Sequence, residues 1–403
     1  MNAIPLSPRP QTADGLLGQS AVAQAMLDVL AALARVQARA GVIPRSAAQS
    51  IAGMCRVELH ELRDVFALQR GEGGAAQALA RQLQDSVALF DAAAAAYVGQ
   101  GLTPQDLADT ALLLLSRRAL EPIDADLLHL LGLLLALAEK HGGVPLQRRA
   151  VLQPSSVISL RARLLDWALP LMRNLQALRQ QAAAALVLQW TGPAVAAQAA
   201  AAQAGALPRM VAQELRLGWA DAGSSRQRDR LMRLGAELCL TALQLGKLGQ
   251  DLALLAQPAV GELVLASEQA LQRCASVHAA AMQAPHRLAA LHSSSIWVLE
   301  GGLGQVQVEM NEWLGLLTAV CSGCRHMALV VGELQPQVER MRDPLSPAPC
   351  TEVQPEPSDK SLPAAWLQEF DAEAQARQAD VRVAATLTQA RLAWQKLCAA
   401  PTV

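Results

Sequence analysis

Cys321-Ser-Gly-Cys324, followed by His326, is the fragment of this chain whose residue types and spacing come nearest to a metal site. A structural zinc site needs a second ligand pair, and covalent haem attachment needs histidine directly after the second cysteine; the sequence offers neither. The fragment therefore reads as a helix turn built from small residues, and neither a metal nor another cofactor is expected. Acid–base chemistry would fall to the seven histidines. His129, His278 and His292 lie in apolar helical surroundings, and none has a carboxylate neighbour at catalytic spacing. Seven cysteines, an odd number scattered through apolar segments such as those around Cys239 and Cys274, read as buried reduced thiols.

Whatever chemistry the chain performs must be positioned by helices. Of its 403 residues 52% are hydrophobic but only 3% aromatic, so the apolar content is Ala, Leu and Val. Ala and Leu are the residues a helix accommodates at least cost, which favours an all-α protein. The run Gln227–Leu263 is the most regular. Leu231, Leu238, Leu245 and Leu252 recur every seven residues, with Leu234, Thr241, Leu248 and Leu255 as the row offset by three. Such spacing buries one side of a long helix against others, and Gln257-Pro258 ends it. Further helices are predicted from Ser20 to Gly41, over about 104–140, 156–189 and 268–292, and from about Val306 to Met341. Thr103-Pro104 supplies a cap and a first-turn proline for the second of these. Gly142-Gly143-Val-Pro145 and Gln153-Pro154 mark an irregular segment.

The organisation reads as a flexible lead (1–15), an N-terminal helical domain (16–102), a central bundle of long helices (103–342), a Pro- and Ser-rich disordered linker (343–362) and a polar helical segment (363–403) that docks or stays mobile. A formal charge of −1 supplies no basic surface for nucleic acid. The most apolar run, Leu127–Ala138, is well short of the roughly 20 residues that span a bilayer, and the first residues lack a signal-peptide pattern. A cytoplasmic protein that binds neither nucleic acid nor membrane is expected.

Several motifs carry a resemblance. AALARVQARAGVIPRSAA after Leu27-Asp28 is similar to the opening helix of the fumarase/aspartase superfamily, closest to its 3-carboxy-cis,cis-muconate cycloisomerase branch. YVGQGLTPQDLADTA (Tyr97–Ala111) resembles that branch's YVHWGATSQDIIDTA, and LVLQWTGPAV (Leu186–Val195) its LVLQFGGAAG. Gln227-Arg-Asp-Arg230 and LGKLGQDLALLAQPAVGEL match QRDR and LGKIARDVSLLMQTEVGEV, and Glu339-Arg-Met-Arg342 matches ERMR. The resemblance implies a fumarase/aspartase-like elongated bundle. It implies a homotetramer, or a mixed tetramer with an active paralogue, whose sites are each assembled from three subunits. It also implies proton abstraction next to a carboxylate, or in this branch metal-free lactonisation of a carboxymuconate.

The family's base is a serine on a flexible GSSxMPxKxNP loop that follows the VGE of the heptad helix. Here Gly261-Glu262-Leu263 runs directly into VLASEQALQRCASVHAAAMQAPHRLAAL, the helix on the loop's far side. Gly223-Ser224-Ser225 lies at the wrong end of the heptad helix, and Ser293-Ser294-Ser295 lacks both glycine and lysine, so both read as loop or cap residues. Gly99 stands for the family's histidine, Pro104 for its serine and Gly74 for an asparagine of GNxxIPLV. The GRTWLQ segment becomes Gln147–Gln153, and the QEHxR segment becomes SSIWVLEGGLGQV. No catalytic residue is assigned. Thr103, Gln105, Arg149, Gln153 and Arg228 remain as vestigial positions that could bind a small dicarboxylate. Each has a structural alternative, such as Arg228 pairing with Asp229 at the start of the heptad helix.

Overall fold

The computed structural model describes residues 13–67, 74–150, 152–191, 206–219, 227–297, 305–343 and 372–401. Its elements are α1 (Ala13–Leu17), α2 (Gln19–Arg39), α3 (Arg45–Met54), α4 (Leu62–Ala67), α5 (Gly74–Ala88), α6 (Ala92–Ala95), α7 (Pro104–Lys140), the strands β1 (Pro145–Ala150) and β2 (Gln153–Ser159), α8 (Leu160–Ala185), α9 (Leu207–Leu215), α10 (Asp229–Ala256), β3 (Leu263–Leu265), α11 (Glu268–Ser294), α12 (Gln305–Gly332), β4 (Leu334–Pro336), α13 (Val338–Arg342) and α14 (Ala372–Ala399). The protein is an all-α elongated bundle with an N-terminal helical domain. Two small antiparallel two-stranded sheets, β1–β2 and β3–β4, interrupt it.

Helices α7, α8, α10, α11 and α12 pack along one another to form the bundle, and α2 lies against α7. The 37 residues of α7 span about 55 Å at 1.5 Å per residue. Its start is the predicted one. Thr103 Oγ1 accepts from the Asp106 amide at 3.1 Å, and an Asp106 carboxylate oxygen accepts from the Thr103 amide at 3.3 Å, a reciprocal cap followed by Pro104. The irregular segment expected around Gly142–Pro154 is instead a hairpin, and helix α8 begins only at Leu160 because Ser159 caps it onto the Ala162 amide. The helix expected from Val306 to Met341 stops at Gly332, where the chain turns into β4 to pair with β3.

Both heptad rows of α10 are buried within this single chain. Thr241 fits there because its hydroxyl donates to the Glu237 carbonyl at 2.8 Å. Intramolecular helices fill the side of α10 on which these rows lie. Glycines on the same helix let its neighbours approach closely. A Cβ on Gly246 would lie 2.2 Å from Ala281 Cβ, and one on Gly249 would lie 3.1 Å from the Cys274 carbonyl oxygen. The large apolar side chains that stay exposed on α10 and α11 are others: Leu240, Leu243, Leu271 and Met282.

The C-terminal helix docks. Across α7, α8 and the hairpin, Arg161 pairs with Asp380 at 2.8 Å and Arg391 pairs with Glu139. Trp394 donates its indole N–H to the Leu128 carbonyl at 3.0 Å, its ring packed where a Cβ on Gly132 would collide. The linker expected at 343–362 lies outside the described residues from 344 onward, and so do residues 1–12 of the lead. The lead's end is already helical, because Leu17 packs into the core. Among the described residues, Gly15–Arg39 and Gln305–Gly332 are long and apolar enough to cross a bilayer. Polar residues punctuate both, so neither is a contiguous apolar run. Each spends most of its apolar face on the bundle core.

Candidate functional site

Three of the five candidate residues meet at the N-terminal end of α7. Gln105 donates its side-chain amide to Asp109 Oδ1 at 2.7 Å, and Arg228, immediately before α10, donates Nη2 to the same oxygen at 2.9 Å. Arg228 Nε lies 3.2 Å from Glu309 Oε2 on α12, and its guanidinium stacks 4.2 Å from the centroid of the Trp297 ring. The pairing of Arg228 with Asp229 does not occur; Asp229 pairs with Arg233 one turn on, at 2.7 Å. The segment after α8 is tied to the same turns, with Thr191 donating to Asp106 at 2.7 Å and Thr110 donating to the Gln189 carbonyl at 3.3 Å.

The electrostatics of this cluster are those of a buried ion triad. Burial pushes the Glu309 carboxyl up to about 7; Arg228 pulls it down by less, and the Asp109 charge adds to the rise. At 3% exposure Glu309 does not reach solvent. A cavity of about 260 Å³ lies between α2, α5 and the start of α7. Gln77, Arg81, Gln84, Gly99 and Thr103 contribute to its lining. Thr103 is committed to the helix cap, and Gly99, with φ +66°, carries no side chain where the resemblance places a histidine.

Arg149 and Gln153 sit at the other end of α7, on the hairpin that follows it. Gln153 opens β2 opposite Ala150. Arg149 makes a two-pronged ion pair with Glu262, Nη1 to Oε2 at 2.9 Å and Nη2 to Oε1 at 2.6 Å. Within one chain the five candidates thus form two groups at opposite ends of α7.

Glu262 itself lies in the segment where a catalytic loop is expected. After α10 the chain turns through Gly261, at φ +62°, and the Glu262 amide donates back to the Leu255 carbonyl at 3.1 Å. The Glu262 carbonyl accepts from the Gln337 amide at 2.9 Å, Leu263–Leu265 pairs with Leu334–Pro336, and helix resumes at Glu268. Every part of this connection is paired or helical within a few residues, so it has no length to spare for a mobile lid. Of the two serine clusters, Gly223–Ser225 lies outside the described residues. Ser293, Ser294 and Ser295 donate to carbonyls of their own helix end, as cap residues do. Cys321–Cys324 is mid-helix, with Gly323 against Leu245.

The lyase family matches residues 11–270, well over half of the chain. The chain belongs to the fumarase/aspartase superfamily of lyases. Within that superfamily it is 38% identical to the 3-carboxy-cis,cis-muconate cycloisomerase of Pseudomonas aeruginosa over 240 residues, 60% of this chain and 52% of the relative. It is 33% identical to the Pseudomonas putida enzyme of the same name over 240 residues, 60% of this chain and 57% of the relative. The crystal structure of the 3-carboxy-cis,cis-muconate lactonizing enzyme from Pseudomonas putida superposes with a TM-score of 0.75 at 31% identity, covering 80% of this chain and 74% of that one. The chain spans about half the length of the curated relatives it matches.

Sequence reasoning missed Asp109, Glu262, Trp297 and Glu309 in this superfamily member. Glu309 left one signal, a carboxylate in the apolar stretch VQVEM that could only be buried with a cation. The Arg149–Glu262 pair left none, because its partners are 113 positions apart.

Proposed function

We propose that this protein is a cycloisomerase-like member of the superfamily that retains the scaffold and has lost the lyase chemistry. The observation that carries the reading is the paired turn from α10 to α11. Its course through Gly261, Glu262 and β3 leaves no place for a serine-bearing loop that could supply a base and exclude water. The residual candidates point the same way: Arg149 is bound to Glu262, and Gln105 and Arg228 are bound to Asp109. The role that remains is that of a cytoplasmic scaffold, forming a homotetramer or joining an active paralogue in a mixed one. The two candidate groups at opposite ends of α7 favour such a partner role, since antiparallel subunits would juxtapose them. Incubation with 3-carboxy-cis,cis-muconate tests the loss of chemistry, and native mass tests the assembly.

A second reading, an active lyase with a relocated base, draws on Glu309, whose pKa near 7 suits proton transfer. Its burial and its absence from the cavity lining weigh against a path to substrate. Glu309→Gln decides it, since an enzyme using this base would lose turnover. A third reading, a non-catalytic dicarboxylate-binding protein, would use the cavity beside Thr103. Thermal stabilisation by fumarate without turnover, lost in Arg81→Ala, would support it.

A further inference from the structure

A second cleft, of about 280 Å³, opens between α2, α7 and the end of α9. It begins about one turn along α7 from Thr110 and shares no lining residue with the cavity beside Thr103. Its charged lining is Asp28, Arg35, Arg117, Arg118, Glu214 and Arg216: four guanidinium groups facing two carboxylates. The carboxylates are already spent. Asp28 accepts from Arg118 at 2.5 Å, and Glu214 accepts from Arg35 at 2.9 Å and from Arg39 on the rim at 2.7 Å. Arg117 reaches outward to Glu121 through Nη1 at 3.0 Å, while its Nε is buried without a hydrogen-bond partner. Among the described residues Arg216 has no carboxylate partner. Counting the rim residues Arg39 and Glu121, two positive charges stay uncompensated in a chain whose net charge is −1.

Arg216 is also held where side chains are unfavourable. It ends α9 in the left-handed region, at φ 54°, with the Leu217 amide returning to the Ala212 carbonyl at 2.8 Å. Glycine would serve that helix end better. The arginine there costs backbone strain and places a guanidinium at the mouth of the cleft. Guanidinium groups present paired N–H donors that match carboxylate and phosphate oxygens, and they bind such groups more strongly when partly desolvated.

We propose that this cleft is a binding site for a small dianion, a dicarboxylate or a phosphate-bearing metabolite, contacted by Arg117 and Arg216. The site is independent of the fate of the lyase chemistry. It is tested by isothermal titration calorimetry of the full chain at low ionic strength, with inorganic phosphate and with succinate as separate probes. The expected result is saturable one-site binding of at least one probe, weakened by added salt. Arg216→Gly should weaken it about tenfold or more while leaving the thermal midpoint unchanged or raised, because glycine relieves the φ of that position. Arg117→Met should weaken it similarly, and Arg81→Ala in the other cavity should have no effect. Binding of phosphate alone assigns a phosphate-bearing ligand, and binding of succinate alone a dicarboxylate; both uphold the site. Absence of saturable binding by either probe overturns it. So does unchanged affinity in Arg216→Gly, or loss of binding in Arg81→Ala.

Discussion

Arg149 and Glu262 face each other in a two-pronged ion pair that joins the hairpin after α7 to the turn after α10. Glu262 is completely buried, at 0% exposure, so its charge depends on this one guanidinium for compensation. A residue that resemblance offers as a substrate ligand thereby clamps the turn between α10 and α11.

Arg149→Met should accordingly destabilise the protein by about 3–5 kcal/mol, the usual cost of stranding a buried charge. Arg149→Met combined with Glu262→Leu should recover most of that loss, because two apolar groups leave nothing uncompensated. Urea unfolding of the two variants measures it. A near-neutral Arg149→Met would mean that the guanidinium is available for a ligand after all.

Glu309 gives the fold a pH dependence of a defined sign. Its carboxyl is pushed from the ordinary 4.5 to about 7, mainly by burial. Below the ordinary value both folded and unfolded chains hold the proton. As pH rises from there to about 7, only the unfolded chain releases it, so stability falls across that window and is level above it. Glu309→Gln should flatten this slope and raise stability at pH 8 by about 1–3 kcal/mol, with Arg228 still held by Asp109. Thermal melts of both proteins from pH 4 to pH 8 provide the check. A wild-type midpoint that climbs from pH 5 to pH 7, with Glu309→Gln following it, would contradict the assignment.

The long helices were legible because their signals are local. The seven-residue leucine rows of α10, the Thr103-Pro104 cap and the Gly41 stop each lie within one element. The β1–β2 hairpin was not, since Gly142, Gly143, Pro145 and Pro154 carry turn signals that outweigh the short strands between them. Among the candidate residues, Thr103, Gln105 and Arg228 could be singled out in the sequence, but not all the groups they pair with. Asp109 is hidden within a helix, and Glu309 and Trp297 converge on Arg228 only through packing of separate helices. Whether Arg149 was free could not be read at all, because the answer lay in Glu262.

Docking of α14 should depend on Trp394 more than on the helix's ion pairs. Trp394→Ala removes the ring packed on Gly132 and the bond to the Leu128 carbonyl, and should cost about 3–5 kcal/mol. Limited proteolysis should then release the 372–399 helix while the bundle persists. Equal protease resistance in the two proteins would show that the Arg161 and Arg391 ion pairs suffice.

Assembly should rely on the exposed apolar residues rather than on the heptad rows. Leu240 and Leu243 are 45% and 37% exposed on α10. Their joint replacement by glutamate should convert a tetramer into smaller species, read by light scattering after gel filtration, with helicity unchanged. A wild-type protein that elutes as a monomer would remove the basis for both the homotetramer and the mixed one.

The most direct measurement is turnover of 3-carboxy-cis,cis-muconate by the purified full chain, followed spectroscopically against a buffer blank. The proposed loss of lyase chemistry, with Gln105, Arg149 and Arg228 bound to internal carboxylates, predicts a rate indistinguishable from the blank. A rate that scales with protein concentration and vanishes in Glu309→Gln would contradict that account and establish a working lyase with a relocated base.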